Sequence, residues 1–211
     1  MGMTDDQMTA ANAFTALLAG NRRFTDGTPL HPNQDAARRA ETAPSQRPFA
    51  VLLGCSDSRL AAEIIFDRGL GDLFVVRTAG HVLGAEALGS IEYGVALLDC
   101  PLVVVLGHDS CGAVAAARGA VEEGAAYSGY VRDLVERVTP SVLAARGAGR
   151  TGDHDFIDVH VEQTVDVLLE RSRVLADAVA AGRTAVVGLS YQLSDGAARL
   201  VTARGLEDLP A

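Results

Sequence analysis

Basic residues are in short supply. Against 27 Asp and Glu, the 211-residue chain sets 18 Lys and Arg, giving a formal charge of −9 and a pI near 4.9. No Lys/Arg-rich run relieves that balance, and a phosphate backbone requires one, so a nucleic-acid surface is excluded. Long hydrophobic runs are missing too. No uninterrupted apolar stretch approaches the roughly 20 residues that span a bilayer, and Met1-Gly2-Met3-Thr4-Asp5-Asp6 offers neither a basic n-region nor an apolar h-region. The expectation is no membrane partner and a cytoplasmic location. Cysteine is scarce and odd in number, three in all, which argues against a secreted disulfide framework; no Cys-x-x-Cys pair invites a dithiol redox reading. Tryptophan is absent. Internal repeats, low-complexity tracts and interdomain linkers are absent as well, so residues 1–211 are expected to form one domain. A small molecule is the partner class that remains.

What is present is a chain that can bury a core: 48% hydrophobic residues over 211 positions need no disulfide staples. Phe14, Leu17, Leu18 and Phe24 recur at helical spacing, predicting an opening helix over 9–24. Pro29, Pro32, Pro44 and Pro48 then mark an irregular arm over 25–48, wrapping a neighbour or the chain's own surface. From Phe49 the pattern alternates strand and helix: strands over 49–54, 73–77 and 102–107, with helices over 61–67 and 84–99 between them. A helix is expected from about 128 to 138, with Pro140 ending it or starting the next. A long helix over 153–180 is closed by Gly182, and a strand over 184–193 turns at Asp195-Gly196 into a last strand over 197–203. This is an α/β fold: a mostly parallel central sheet flanked by helices, with an N-terminal helical arm and a C-terminal antiparallel edge strand.

The chemistry gathers just beyond two of those strands. Cys55-Ser56-Asp57-Ser58-Arg59 follows the run Phe49 to Gly54, and His108-Asp109-Ser110-Cys111 follows Leu102 to Gly107. Parallel sheets carry their functional loops at these carboxyl ends. Two thiolates and one imidazole suit zinc, and three protein donors leave a fourth tetrahedral position open, the mark of a catalytic site. Cys100, beside Pro101 at the end of an apolar helix, reads as a small buried hydrophobe. His31, His154 and His160 are assigned surface or capping roles. His81 ends a strand on the site's side of the sheet, where it could line the pocket. Asp57 and Arg59 read either as an exposed ion pair or as an acceptor for metal-bound water, with the guanidinium fork keeping the carboxylate off the ion.

At these residues the sequence resembles the β-class carbonic anhydrases, zinc enzymes that hydrate carbon dioxide. The resemblance rests on Cys-x-Asp-x-Arg and His-x-x-Cys, on Phe74-Val75-Val76-Arg77-Thr78-Ala79-Gly80, on Ser90-Ile91-Glu92-Tyr93 and on Gly107 to Gly112, and runs from about Leu18 to Gly196, with an actinobacterial flavour. It implies Zn2+ held by Cys55, His108 and Cys111, with zinc-bound hydroxide attacking carbon dioxide to give bicarbonate. Asp57 and Arg59 would form the catalytic dyad, Asp57 accepting from the hydroxide in the active form and becoming the fourth metal ligand in the inactive one. The backbone N–H of Gly112 would meet a substrate oxygen, and Leu60 and Tyr93 are pocket candidates. A homodimer or homotetramer is implied, with residues 1–48 embracing the partner. Some members carry a non-catalytic bicarbonate site of Trp, Arg and Tyr; Arg77 and Tyr191 match, but Leu52 stands at the Trp position. The alternatives are a related zinc hydrolase acting on carbonyl sulfide or carbon disulfide, and a non-catalytic zinc protein.

Overall fold

Three runs of the chain are apolar but for one terminal histidine and one serine, and the fold buries each completely. In the computed structural model, which describes residues 8–206, these are β1 (Ala50–Cys55), β3 (Leu102–His108) and β4 (Ala185–Tyr191). They form the middle of a five-stranded sheet ordered β2-β1-β3-β4-β5. The edges are β2 (Leu73–Thr78) and β5 (Ala198–Arg204), both only half-buried. β1, β2, β3 and β4 pair in parallel and β5 runs antiparallel to β4. Strands covered on both faces have no solvent side to present, which is why the central runs show no polar alternation.

Alternate residues of those strands feed two cores. Leu52, Val104, Leu106, Val187 and Leu189 face one side, with α1 (Ala10–Thr25), α5 (Gly112–Glu123) and α6 (Gly129–Gly147) packed over them. Val51, Leu53, Val103, Val105 and Val186 face the other, under α4 (Ala85–Ala96), α7 (Asp153–Arg171) and α8 (Arg173–Ala180). Gly107 and Gly188 let α7 lie close on the sheet: a Cβ at either would stand 2.5 Å from a Val161 methyl. Short helices α2 (Ala36–Thr42) and α3 (Ala62–Ile65) complete the chain. No described helix is long and apolar enough to cross a membrane.

The fold class agrees with the sequence reading, and three local expectations are corrected. α6 neither ends nor restarts at Pro140 but runs through it. The bond Pro140 cannot donate would go to Glu136, an exposed residue whose carbonyl water can solvate. The helix expected over 153–180 is broken at Ser172, whose extended backbone ends α7 while its hydroxyl caps α8 at Leu175 N, 3.1 Å. The same hydroxyl donates to Glu92 Oε1 at 2.6 Å, tying the break to α4. The arm over 25–48 is less irregular than its prolines suggest, since Asp35 caps α2 within it.

That arm is bound to its own chain by two buried carboxylates. Asp67 accepts from Arg23 Nε at 2.6 Å and from the backbone of Leu30 and His31 at 3.0 and 2.9 Å. Asp72 accepts from Asn33 Nδ2 at 2.8 Å and Gly69 N at 2.9 Å. α1 buries Phe14 and Leu17 in the core. Asn21 joins it to Ile65 O, Gly196 O and Ala198 N at 2.8 to 3.2 Å.

Candidate metal centre

β1 ends on Cys55 and β3 on His108, so the parallel register delivers both side chains to one end of the sheet. Cys111 follows as the N-cap of α5. The ligand atoms of Cys55, His108 and Cys111 lie within 4.8 Å of one another, and all three residues are buried. The loop between His108 and Cys111 is clamped from β4: Asp109 N donates to Tyr191 O at 3.1 Å, and Asp109 Oδ1 accepts from Leu193 N at 2.7 Å. Ser110 turns the chain through a left-handed conformation, φ 54°.

Electrostatics in this cluster favour a cation. The Cys111 thiol donates to Cys55, and with His108 and the Gly80 N–H adding to it this outweighs desolvation and pulls Cys55 far below the usual thiol range. The same bond from the other side, with burial, raises Cys111. Burial opposes a charge on His108, yet the neighbouring Cys55 thiolate raises its pKa. His108 Nδ1 is paired with Asp109 O at 2.7 Å, while Nε2 is buried with no protein partner among the described residues. An imidazole with one nitrogen fixed by a carbonyl and the other beside two sulfurs is set up to ligate a metal in one tautomer. The donor set, two sulfurs and one nitrogen, fits zinc with one position open.

The second loop holds Asp57 and Arg59 as a fork-on-carboxylate pair. Arg59 Nε and Nη2 donate to Asp57 Oδ1 and Oδ2 at 2.9 and 2.7 Å, and Arg59 N adds 2.9 Å to Oδ1. The Arg59 hydrogen bonds lead the causes that depress the Asp57 carboxyl well below the carboxylate range, so it is ionised at any working pH. Each carboxylate oxygen carries two lone pairs. Both on Oδ1 are taken by Arg59, and Oδ2 keeps one free.

Arg77, which the sequence reading matched only to a non-catalytic bicarbonate site, ties the end of β2 to the loop after β1. Its Nε donates to Cys55 O at 2.9 Å and its Nη2 to Asp57 O at 2.6 Å, so it anchors the backbone of the ligand and of the dyad together. The parallel register puts Arg77 on β2 opposite Gly54, one residue before Cys55, a pairing that the sequence alone does not mark. Tyr191 is 5% exposed and pairs in register with His108. Leu60 is buried in the core cluster that includes Cys55 and Cys111. Tyr93 is half-exposed and stacks on Phe74 at 5.9 Å. His31 and His154 are exposed, as expected. His160 is corrected: it is 3% exposed, inside α7's packed face. His81, 1% exposed, lies against it with ring centroids 4.3 Å apart. Gly112 opens α5 directly after Cys111, where the first-turn N–H groups lack helical partners.

This arrangement of loops, ligands and strand order coincides with a known family. A family profile described as carbonic anhydrase matches residues 50–198. The chain belongs to the β-carbonic anhydrase family. It is 55% identical over 188 residues to carbonic anhydrase 2 of Mycobacterium tuberculosis, covering 89% of this chain and 91% of that protein. With the carbonic anhydrase of Mycolicibacterium smegmatis the identity is 56% over the same shares. Among solved structures, the Coccomyxa β-carbonic anhydrase in complex with acetazolamide superposes with a TM-score of 0.70 at 25% identity, covering 94% of this chain and 93% of that one. A β-carbonic anhydrase of Sordaria macrospora, from work describing two tetrameric enzymes, gives 0.69 at 21% identity over 91% and 98%, a likeness of fold. The chain is thus an enzyme of the carbonic anhydrase class, and Cys55, His108 and Cys111 are the residues that could hold its metal.

Proposed function

We propose that this β-carbonic anhydrase works with a zinc ion held by Cys55, His108 and Cys111, interconverting carbon dioxide and bicarbonate under control of the Asp57–Arg59 dyad. The observation that carries the reading is His108 Nε2, a buried and unpartnered nitrogen facing two cysteine sulfurs. Bound there, zinc supplies the Lewis acidity that makes water a nucleophile near neutral pH. Asp57 uses its remaining Oδ2 lone pair to accept the nucleophile's O–H, which aims the attacking lone pair at carbon. Two thiolates would reduce the net charge of an ion held there, and the Asp57 acceptor would compensate by favouring the deprotonated nucleophile. Arg59 fixes the carboxylate by its fork, which would keep Asp57 from ligating a metal held by the three residues and leave it to orient the nucleophile. Gly112 N–H donates to a substrate oxygen, stabilising the charge that grows on it.

Two further assignments belong to this reading. The cytoplasm is the compartment proposed, because three unbridged cysteines, two of them ligands, need a reducing one. A homodimer or homotetramer is proposed because β2, a sheet edge, carries Phe74, Val75 and Val76 only partly buried. Nearby on α4, Tyr93 is 46% exposed, and Leu97 just beyond it is 67% exposed. An apolar edge strand of this kind is stable when covered. Of residues 1–48, those before residue 8 lie outside the described residues; residues 8–48 would meet the second copy with the arm's outer face, its inner face being engaged by Asp67 and Asp72. Light scattering at assay concentration tests this, and a monomer overturns it.

The deciding experiment is stopped-flow carbon dioxide hydration with metal content measured on the same sample, beside Cys55→Ser. Rapid turnover in zinc-loaded protein, lost with the zinc in the variant, is expected. Stoichiometric zinc with no turnover at any pH overturns the reading, and turnover of carbonyl sulfide alone moves it to that substrate.

A further inference from the structure

Behind the metal centre lies a hydrogen-bonded line that the chemistry above does not use. Gly80 N–H donates to Cys55 Sγ at 3.2 Å. The carbonyl of the same residue accepts from His160 Nε2 at 2.8 Å. His160 Nδ1 lies 2.9 Å from Ser141 Oγ, and Ser141 Oγ lies 2.9 Å from the Gln163 side-chain amide. Gln163 lines a cleft of about 550 Å³ between α6 and α7, together with Arg137, Thr164 and Arg171. The line thus runs from solvent, through the protein interior, to a metal-ligand sulfur.

Its directions follow from chemistry. The Gly80 carbonyl can only accept, so His160 carries its proton on Nε2. Burial lowers the His160 pKa against the opposing Gly80 bond, so the ring is neutral. Its Nδ1 is therefore an acceptor and takes Ser141's single proton, which requires the Gln163 amide to be turned with its NH2 toward Ser141 Oγ, donating to it instead of accepting at Oε1. Gly80 needs such an anchor. It sits at φ 64°, ψ 23°, inside a turn closed by Thr78 Oγ1 donating to Val82 O at 2.8 Å. A Cβ there would stand 2.7 Å from Ala113 Cβ, so the position is glycine's, and glycine is the residue least able to hold one conformation unaided.

We infer that His160 is a positioning residue of the metal centre: by fixing the Gly80 carbonyl it holds the Gly80 N–H on Cys55 Sγ and so limits the negative charge that this thiolate gives the ion. A hydrogen bond to a ligating sulfur withdraws electron density from it, which leaves the metal a stronger Lewis acid. The inference rests on the metal-site reading proposed above.

The test uses cobalt-substituted protein, whose thiolate-to-cobalt charge-transfer band reports the electron richness of the sulfurs. His160→Leu removes the donor; His160→Gln returns an N–H at the same reach. The band is expected at longer wavelength in His160→Leu, with zinc bound about tenfold more weakly by chelator competition, and at the wild-type position in His160→Gln. Ser141→Ala, a milder change, is expected to move the band the same way by less, and it decides the matter if His160→Leu does not fold. A band unmoved in the deciding variant, with only the melting temperature lowered, reduces His160 to a core residue and overturns the inference. So does a band moved equally by Leu and Gln. Wild-type protein showing no thiolate–cobalt band would sink the metal-site reading itself, a separate failure visible before any variant is made.

Discussion

Cys100 and Cys111 lie eleven positions apart in sequence and on opposite ends of one strand, β3, and both are almost wholly buried, at 0% and 3% exposure. Burial therefore does not separate an inert thiol from one that could hold a metal. Their partners do. Cys100, before the strand, donates to Pro48 O at 3.3 Å, and desolvation pushes its pKa up to about 12, with Asp99 adding to the effect. Cys111, past the strand, caps a helix with a second sulfur and an imidazole within 4.8 Å. The amino ends of parallel strands meet the preceding helix terminus and close over apolar packing. The carboxyl ends open into the loops, where β1 and β3 together converge their last side chains.

The largest way to break this contrast is at the carboxyl end. Cys55→Ser is expected to lose zinc and with it several kcal/mol of transition-state stabilisation, a fall in kcat on the order of 10³-fold or more. Metal analysis and stopped-flow hydration on the same sample check it, and a serine variant that keeps both zinc and turnover would return Cys55 to the class of Cys100. Arg59→Ala comes next. Without its fork the Asp57 carboxylate is free to take the fourth metal position, so zinc content stays stoichiometric while activity falls about 100-fold or further. Retained activity would show that the dyad does not gate the site, whatever its geometry.

The outline of this contrast is readable in sequence, because each end has its own residue vocabulary. Apolar β-branched runs announce β1, β3 and β4, and the two polar loops after them stand out against that background. What the sequence conceals is side-chain reach. Ser172 looks like one more polar helical residue until Glu92, 80 positions earlier, accepts its hydroxyl. Pro140 looks like a stop, but an exposed Glu136 carbonyl tolerates the lost bond. His160 reads as a surface histidine because α7 carries many charges. Its spacing from Phe156 and Thr164, four residues either way and both buried, was the available sign that it lies on the inward stripe. Arg77 and Asp67 were hidden for the same reason: each acts on backbone groups that no sequence pattern marks.

The third prediction sharpens the comparison by titration. His160 is held neutral in the fold with its pKa below the ordinary 6.5, burial being the first cause. Below pH 6.5 the unfolded chain takes up a proton at this position that the folded chain refuses, so stability is lost as pH falls. The loss is up to about 1.4 kcal/mol for each pH unit. His160→Gln keeps the hydrogen bonds but cannot titrate. Urea unfolding at pH 7.5 and 5.5 should therefore show a smaller drop in the variant than in wild type. Equal drops would mean that the acid sensitivity resides elsewhere, first in His81, which is packed against His160 and whose pKa burial lowers further.

The smallest effect is expected at the amino end. Cys100→Ser places a hydroxyl where the thiol already donates to Pro48 O, and Thr184 Oγ1 donates to Cys100 O at 3.1 Å whatever the side chain. The new hydroxyl is satisfied, so the cost is the lost apolar burial of one sulfur, about 1 kcal/mol. Zinc content and turnover should not change. Alkylation followed by mass spectrometry gives the complementary result: with its pKa near 12, Cys100 stays unlabelled in native protein at pH 8, while chelation exposes Cys55 to the reagent first, as the thiolate of the pair. Labelling of Cys100 ahead of Cys55 would erase the distinction between the two ends of the strand, since it would make reactivity a matter of access and not of the charges each loop supplies.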